Sequence, residues 1–177
     1  MDIRALAPPD AAAFMALRLR GLQECPHAFA SSYEEEATTP LAEIEKRLQP
    51  KADSALFGAF QGPQLCAVVG LQREGMVKLA HKAFIWGMYV APEVRTRGVG
   101  ARVLRHALQH AATVLGTTQV NLGVNTKNVA AVALYRKLGF VEYGLERGFL
   151  RVDGVLHDEY QMAWHVTHVT HSADFKP

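Results

Sequence analysis

The sequence predicts a single-domain mixed α/β fold built in layers. Three observations carry that expectation. Apolar runs of strand character alternate with amphipathic stretches of helical period, in the order β-α-α-β-β-β-α-β-α-β-β. Short turn sequences, QGPQ at 61–64 and DG at 153–154, join two pairs of those strands as hairpins. The 177 residues carry no internal repeat or linker, and that length suits one domain with a substantial core. The expected domain runs over 1–165, and 166–177 read as a polar tail.

Residues 1–6 alternate as a first strand, which APPD then breaks. From Asp10 to Glu24 the positions Ala13, Phe14, Leu17 and Leu22 suit one helix face. CPHAFASSYEEEATTP reads as a loop, with a proline at each end. Thr39 is the expected cap and Pro40 the first residue of a helix over LAEIEKRLQ. ALFGAF and LCAVVGLQ form the first hairpin. HKAFIWGMYVAP is so uniformly apolar that it reads as a strand buried on both faces, ending at Pro92.

In the next helix Val99, Val103, Leu104, Ala107, Leu108, Ala111 and Leu115 share one face, and Gly116 terminates it. TQVNLGV is a strand. Asn128 caps a helix that turns Ala131, Leu134, Tyr135 and Leu138 inward and that Gly139 closes. FVEYGLERGFLRV and VLHDEYQMAW complete the second hairpin.

Composition narrows the partners. A formal net charge of +2, spread along the chain, lacks the basic stripe of a nucleic-acid binder. No run approaches the ~20 apolar residues of a membrane span. The start, MDIRALAPPD, lacks a signal peptide's apolar core. Cys25 and Cys66 read as reduced thiols, which suits a cytoplasmic protein. His27 lies close to Cys25 in sequence, but nothing else supports a catalytic pair.

The chemistry concentrates in PEVRTRGVGARVL. Gly98 and Gly100 open a helix directly after a strand. The first helical N–H groups are unpaired and carry the positive end of the macrodipole, so bare backbone there admits a phosphate. Arg95 and Arg97 add charge-assisted donors. A Walker A loop is absent, and the third glycine of a dinucleotide fingerprint is Val103 here.

VAPEVRTRGVGARVL resembles the R-x-x-G-x-G motif of the GNAT superfamily of acyl-CoA-dependent N-acyltransferases. NTKNVAAVALYRKLGF resembles that family's second signature at Asn128, Ala131, Leu134, Tyr135, Gly139 and Phe140. The resemblance covers roughly residues 1–165. It implies a mixed, mostly antiparallel central sheet with helices on both faces, and acetyl-CoA as co-substrate.

By the same resemblance, the backbone of Thr96, Arg97, Gly98, Val99, Gly100 and Ala101 holds the pyrophosphate beside Arg95. Met88, Tyr89 and Val90 meet the pantetheine arm as an added strand would. Gly87 marks a bulge that aims a backbone N–H at the thioester carbonyl. Asn128 and Ala131 contact coenzyme A, and Tyr135 is the general acid that protonates the leaving thiolate.

The implied reaction is direct attack by a primary amine of a small molecule, through a tetrahedral intermediate. Two alternatives stay open: a ribosomal-protein type N-terminal acetyltransferase, and a non-catalytic acyl-CoA-binding domain. Some relatives carry a Glu five residues before the motif Asn, where this chain has Gly123. Glu34, Glu35, Glu36, His81 and Glu159 are candidate bases by residue type, beside a water chain or a neutral amine.

YEEE at 33–36, with Asp153, Asp158 and Glu159, would suit a cationic acceptor. His165, His168 and His171 lie three apart without a Cys or carboxylate beside them, and no metal is expected. Homodimerisation is left open.

Overall fold

The computed structural model describes residues 1–166. His168 and His171, and the expected tail after its first residue, lie outside the described residues. The strands are β1 (Asp2–Ala5), β2 (Ser54–Gln61), β3 (Gln64–Arg73), β4 (Lys82–Val90), β5 (Gln119–Asn125), β6 (Val141–Val152) and β7 (Val155–His165). The helices are α1 (Ala11–Glu24), α2 (Tyr33–Ala37), α3 (Leu41–Arg47), α4 (Val99–Thr113) and α5 (Val129–Lys137).

The strands form one seven-stranded sheet in the order β1-β2-β3-β4-β5-β7-β6. Every neighbouring pair is antiparallel except β4 and β5, which α4 connects as a parallel crossover. A Cβ built on Gly21 of α1 would stand 3.0 Å from the Tyr89 ring, whereas one on Gly100 of α4 would stand 3.3–3.4 Å from Met88 and Val90. Successive strand residues point to opposite faces. Helices α1 and α4 therefore cover opposite faces, as the layered reading expects.

The expected stripe on α4 is buried at every position, and Gly116 turns the chain at φ +65°. Elsewhere the structure corrects the sequence reading. The segment read as a loop contains α2, started by a capping box in which Ser32 Oγ accepts from Glu35 N–H and Glu35 accepts from Ser32 N–H. Helix α3 starts one residue later than expected, with Pro40 rather than Thr39 at the N-cap. The Thr39 N–H donates to Glu36 O and so completes the preceding turn.

On α1, Ala13 is exposed, while Ala11, Arg18 and Gly21 are buried beside Phe14, Leu17 and Leu22. On α5, Val132 and Tyr135 are the buried pair, and Ala131, Leu134 and Leu138 are half-buried.

Strand β4 is not buried on both faces. Ala83 and Ile85 are sealed, but Phe84 and Trp86 are 37% and 42% exposed. The sheet also has a gap here. Pairing between β4 and β5 covers only Lys82, Ala83 and Phe84 against Gln119, Val120 and Asn121. Beyond Phe84 the two strands share no ladder, and the face carrying Trp86 becomes the wall of a cleft.

Candidate active site

The gap between β4 and β5 organises the site. On its other side β4 pairs with β3 throughout, apart from a register shift that sets Gly87 and Met88 against Val69 alone. Gly87 has φ +61°, a conformation that disfavours a side chain, so the bulge expected there is present. The free edge of β4 from Ile85 to Val90 therefore faces a space rather than a strand.

The arginine–glycine segment follows at the end of that edge. Thr96 and Gly98 both have positive φ, 63° and 73°, and Gly98 is the N-cap of α4. A Cβ on Gly98 would meet nothing within 4 Å, so the space before the helix N-terminus is open. Gly100 is bare for a different reason. A Cβ there would press Met88, Val90 and Leu134 at 3.3–3.4 Å, so this glycine lets α4 sit close to β4 and α5. Close packing is thus a second reason for a bare backbone at Gly100, beside the expected path for phosphate.

The arginines also differ. Arg95 Nε donates to Val90 O at 2.9 Å and Nη2 to Glu24 Oε2 at 3.2 Å, with the guanidinium 5.6 Å from the Tyr89 ring centre. Arg97 is exposed and makes no ion pair among the described residues. Tyr89 faces α1, where its hydroxyl donates to Glu24 Oε2 at 2.6 Å. Burial and the Glu24 carboxylate both raise its pKa. Only the backbone of Tyr89 is placed to meet a ligand along β4.

Helix α5 closes the far side of the gap. Asn128 Oδ1 accepts from Ala131 N–H at 3.2 Å, which makes it the expected cap. Tyr135 is 7% exposed, and its ring packs 5.7 Å from that of Phe140. Its hydroxyl points at Met88 Sδ, 3.7 Å away, a weak acceptor. Burial pushes its pKa up to about 12, so it stays protonated across the physiological range.

On the α1 face of the sheet a cleft of about 310 Å³ reaches the same bulge, lined by Arg18, Phe29, Trp86, Gly87, Gly123 and Glu159 among others. Trp86 lies flat on Gly70, whose Cβ would come within 2.1 Å of its ring. Glu159 lies over Gly123, and a Cβ at 123 would fall 1.9 Å from Glu159 Oε1. Gln161 Nε2 donates to that oxygen at 3.0 Å. Burial raises the Glu159 pKa and Glu146 adds repulsion, against the lowering by Gln161.

The other candidate bases stand elsewhere. Glu36 binds Arg18, Glu35 caps α2, Glu34 lies exposed on that helix, and His81 precedes β4 with its carbonyl bonded to Thr118. The expected acidic cluster is dispersed as well. Asp158 accepts from Gly148 N–H, and Asp153 sits in the hairpin turn.

Arg18 went unrecognised in the sequence, although it falls on the apolar stripe between Phe14 and Leu22. A charged residue in such a stripe is the signal that could have found it. The described residues contain no group of three or more His, Cys, Asp or Glu placed to hold a metal ion. None of their helices is long and apolar enough to cross a membrane.

Comparison with known proteins gives a consistent result. The model of the acetyltransferase (GNAT) family matches residues 21–140. The N-alpha-acetyltransferase RimI of Mycobacterium tuberculosis is 37% identical over 105 residues, 59% of this chain and 62% of that protein. The spermidine N(1)-acetyltransferase of Vibrio cholerae is 30% identical over 77 residues, 44% of each chain. The matched regions thus span less than two thirds of these curated relatives.

Among solved structures, a GNAT-family acetyltransferase from Streptococcus pneumoniae superposes with a TM-score of 0.83 at 23% identity, covering 93% of this chain and 99% of that one. The putative acetyltransferase yncA of Salmonella typhimurium, determined with acetyl-CoA, gives 0.78 at 17% identity, covering 95% of each. At such identities the likeness is one of fold.

Proposed function

This chain belongs to the GNAT acetyltransferase family, and on that premise we propose that it transfers the acetyl group of acetyl-CoA to a primary amine. The observation that carries the reading is the opening between β4 and β5. It presents an unpaired strand edge, an open helix N-terminus at Gly98 and a protonated Tyr135 on one side. The cleft with Glu159 meets it at Gly87 from the other.

Acetyl-CoA fits these residues. An open N-cap of positive φ suits a pyrophosphate, held by the backbone from Thr96 to Ala101 and by Arg97. Arg95, tied to Val90 O, shapes the strand end and adds positive charge nearby. Met88 and Val90 on the free edge would meet the amides of the pantetheine arm, and Asn128 and Ala131 the far wall. When bound, acetyl-CoA supplies an activated acyl group whose carbonyl an amine attacks.

The chain's own groups then handle charge and protons. A backbone N–H freed by the Gly87 bulge stabilises the developing oxyanion. Glu159 accepts the acceptor's proton, since it is the carboxylate that lines the cleft, and its raised pKa makes it a stronger base than an ordinary glutamate. Tyr135 delivers a proton to the departing sulfur.

Acetylation of a protein N-terminus is a second reading, favoured by the RimI similarity. Gly123 does not argue against it, because Glu159 fills the space above that position.

Two measurements test this function. In calorimetry the protein should bind acetyl-CoA with an affinity that falls as salt rises, and Arg97→Ala should weaken binding about tenfold and flatten the salt dependence. Absence of binding by the folded protein would overturn the reading. Gly123→Ala should push the Glu159 carboxylate aside at little cost in melting temperature, since the displaced atom ends a flexible side chain. Turnover should nonetheless drop about tenfold or more, because a small misplacement of a reacting group is costly. Unchanged turnover would remove Glu159 from the mechanism.

A further inference from the structure

Arg18 is 7% exposed and sits where α1 passes over the cleft. Its Nε donates to Glu36 Oε2 at 3.0 Å, and its Nη2 to Glu36 Oε1 and to Ser31 Oγ, each at 2.7 Å. The Phe29 ring lies 4.6 Å from the guanidinium carbon and fixes its plane. Two of the three nitrogens are thus committed. The third, Nη1, is buried and has no hydrogen-bond partner among the described residues. It points toward the bulge, 3.8 Å from where a Cβ on Gly87 would stand.

An unpaired buried donor on a charged group leaves its desolvation uncompensated, and such a group in a native structure calls for an explanation. The ion pair with Glu36 and the bond to Ser31 account for Nε and Nη2 but leave Nη1 without a role. Glu36 already neutralises the guanidinium, so what is missing is an oxygen to accept from Nη1 rather than a counter-charge.

We infer that Arg18 Nη1 binds an oxygen of the acceptor, and that the acceptor is an α-aminoacyl compound. It presents its amine to Glu159 and a carboxylate or carbonyl oxygen on the adjacent carbon to Arg18. The inference rests on the acetyl-transfer reading. Arg18 and Glu159 line one cleft and flank the two bare positions, Gly87 on β4 and Gly123 on β5, between which the reacting amine has room. Trp86 and Phe149 line the same cleft and suit an apolar side chain. Free amino acids and peptide N-termini share this chemistry, whereas a polyamine has no oxygen to offer.

The experiment compares three matched acceptors, L-phenylalanine, L-phenylalaninamide and phenethylamine, by thiol release from acetyl-CoA, with spermidine as a fourth arm. At least one of the two α-aminoacyl compounds should exceed phenethylamine at least tenfold in kcat/KM. Preference for phenylalanine points to free amino acids, and preference for the amide to peptide N-termini. In Arg18→Lys, which keeps the charge facing Glu36 but removes the fork, KM for the better of the two should rise at least tenfold. Its kcat, and the phenethylamine rate, should change far less.

Phenethylamine or spermidine matching the α-aminoacyl compounds would overturn the inference and leave acetyl transfer standing, as would binding of acetyl-CoA with neither α-aminoacyl compound accepted. Loss of acetyl-CoA binding itself would instead remove the proposed function. Should Arg18→Lys fail to fold, the comparison of acceptors decides alone.

Discussion

Glu159→Gln should lower kcat for acetyl transfer by roughly 10²–10⁴, the range of a lost general base, while the protein melts no lower than wild type at neutral pH. The two halves have one cause. Burial raises the Glu159 pKa, with Glu146 adding to the effect and the Gln161 donor opposing it. The folded chain therefore holds this proton at pH values where the unfolded chain has already released it. Stability from this group is full below the unfolded pKa and declines as pH rises through the folded one. Glutamine has no such proton, so the variant escapes the loss and should gain relative to wild type as pH increases.

Activity runs the other way. Wild-type kcat/KM should fall on the acid side as Glu159 becomes protonated, at a pH above the ordinary glutamate range. The Gln variant should lack that limb. Burial sets its position, with Gln161 on β7 lowering it and Glu146 on β6 raising it. Turnover at the wild-type rate in Glu159→Gln, or an acid limb that persists unchanged, would return the role of base to water or to an amine that arrives neutral.

The parts of this molecule that the sequence announces are those set by local periodicity. The α4 stripe and the Asn128 cap each depend on residues within a few positions of one another, whereas the Gly87 bulge was implied by the family resemblance and shows in the pairing of β4 with β3. Helix α2, read as loop, carried a signal of its own in Ser32 and Glu35 at capping-box spacing, although five residues are too few to show an apolar face.

What escaped is non-local. Nothing near residue 123 shows that β7 will pair with β5 in the register Gly123↔Gln161, bringing Glu159 over the glycine. A reading confined to β5 finds a missing carboxylate where the fold supplies one from the next strand. The dual use of Gly98 and Gly100 is hidden for the same reason, since Leu134 and Met88 reach Gly100 from distant segments. Arg18 escaped because only apolar residues were counted toward the stripe of α1, although its position in that stripe marked it for burial.

Tyr135→Phe should lower kcat by roughly 10²–10⁴ and leave affinity for coenzyme A within about threefold. The hydroxyl is buried and its pKa pushed up to about 12, so it is a proton donor at any pH the enzyme meets. Its neighbour is a thioether, Met88 Sδ at 3.7 Å. Removing the hydroxyl therefore strands no strong acceptor, and the ring keeps its packing against Phe140. Melting temperature should barely move. The proposed work is done only as the carbon–sulfur bond breaks and negative charge gathers on sulfur, so the interaction belongs to the transition state and not to binding. That separates a catalytic tyrosine from a core one: a structural role would show in melting temperature and cofactor affinity together, and a catalytic role in kcat alone. A Phe variant that turns over at the wild-type rate would make Tyr135 core filler and leave the leaving thiolate to be protonated by water or another side chain.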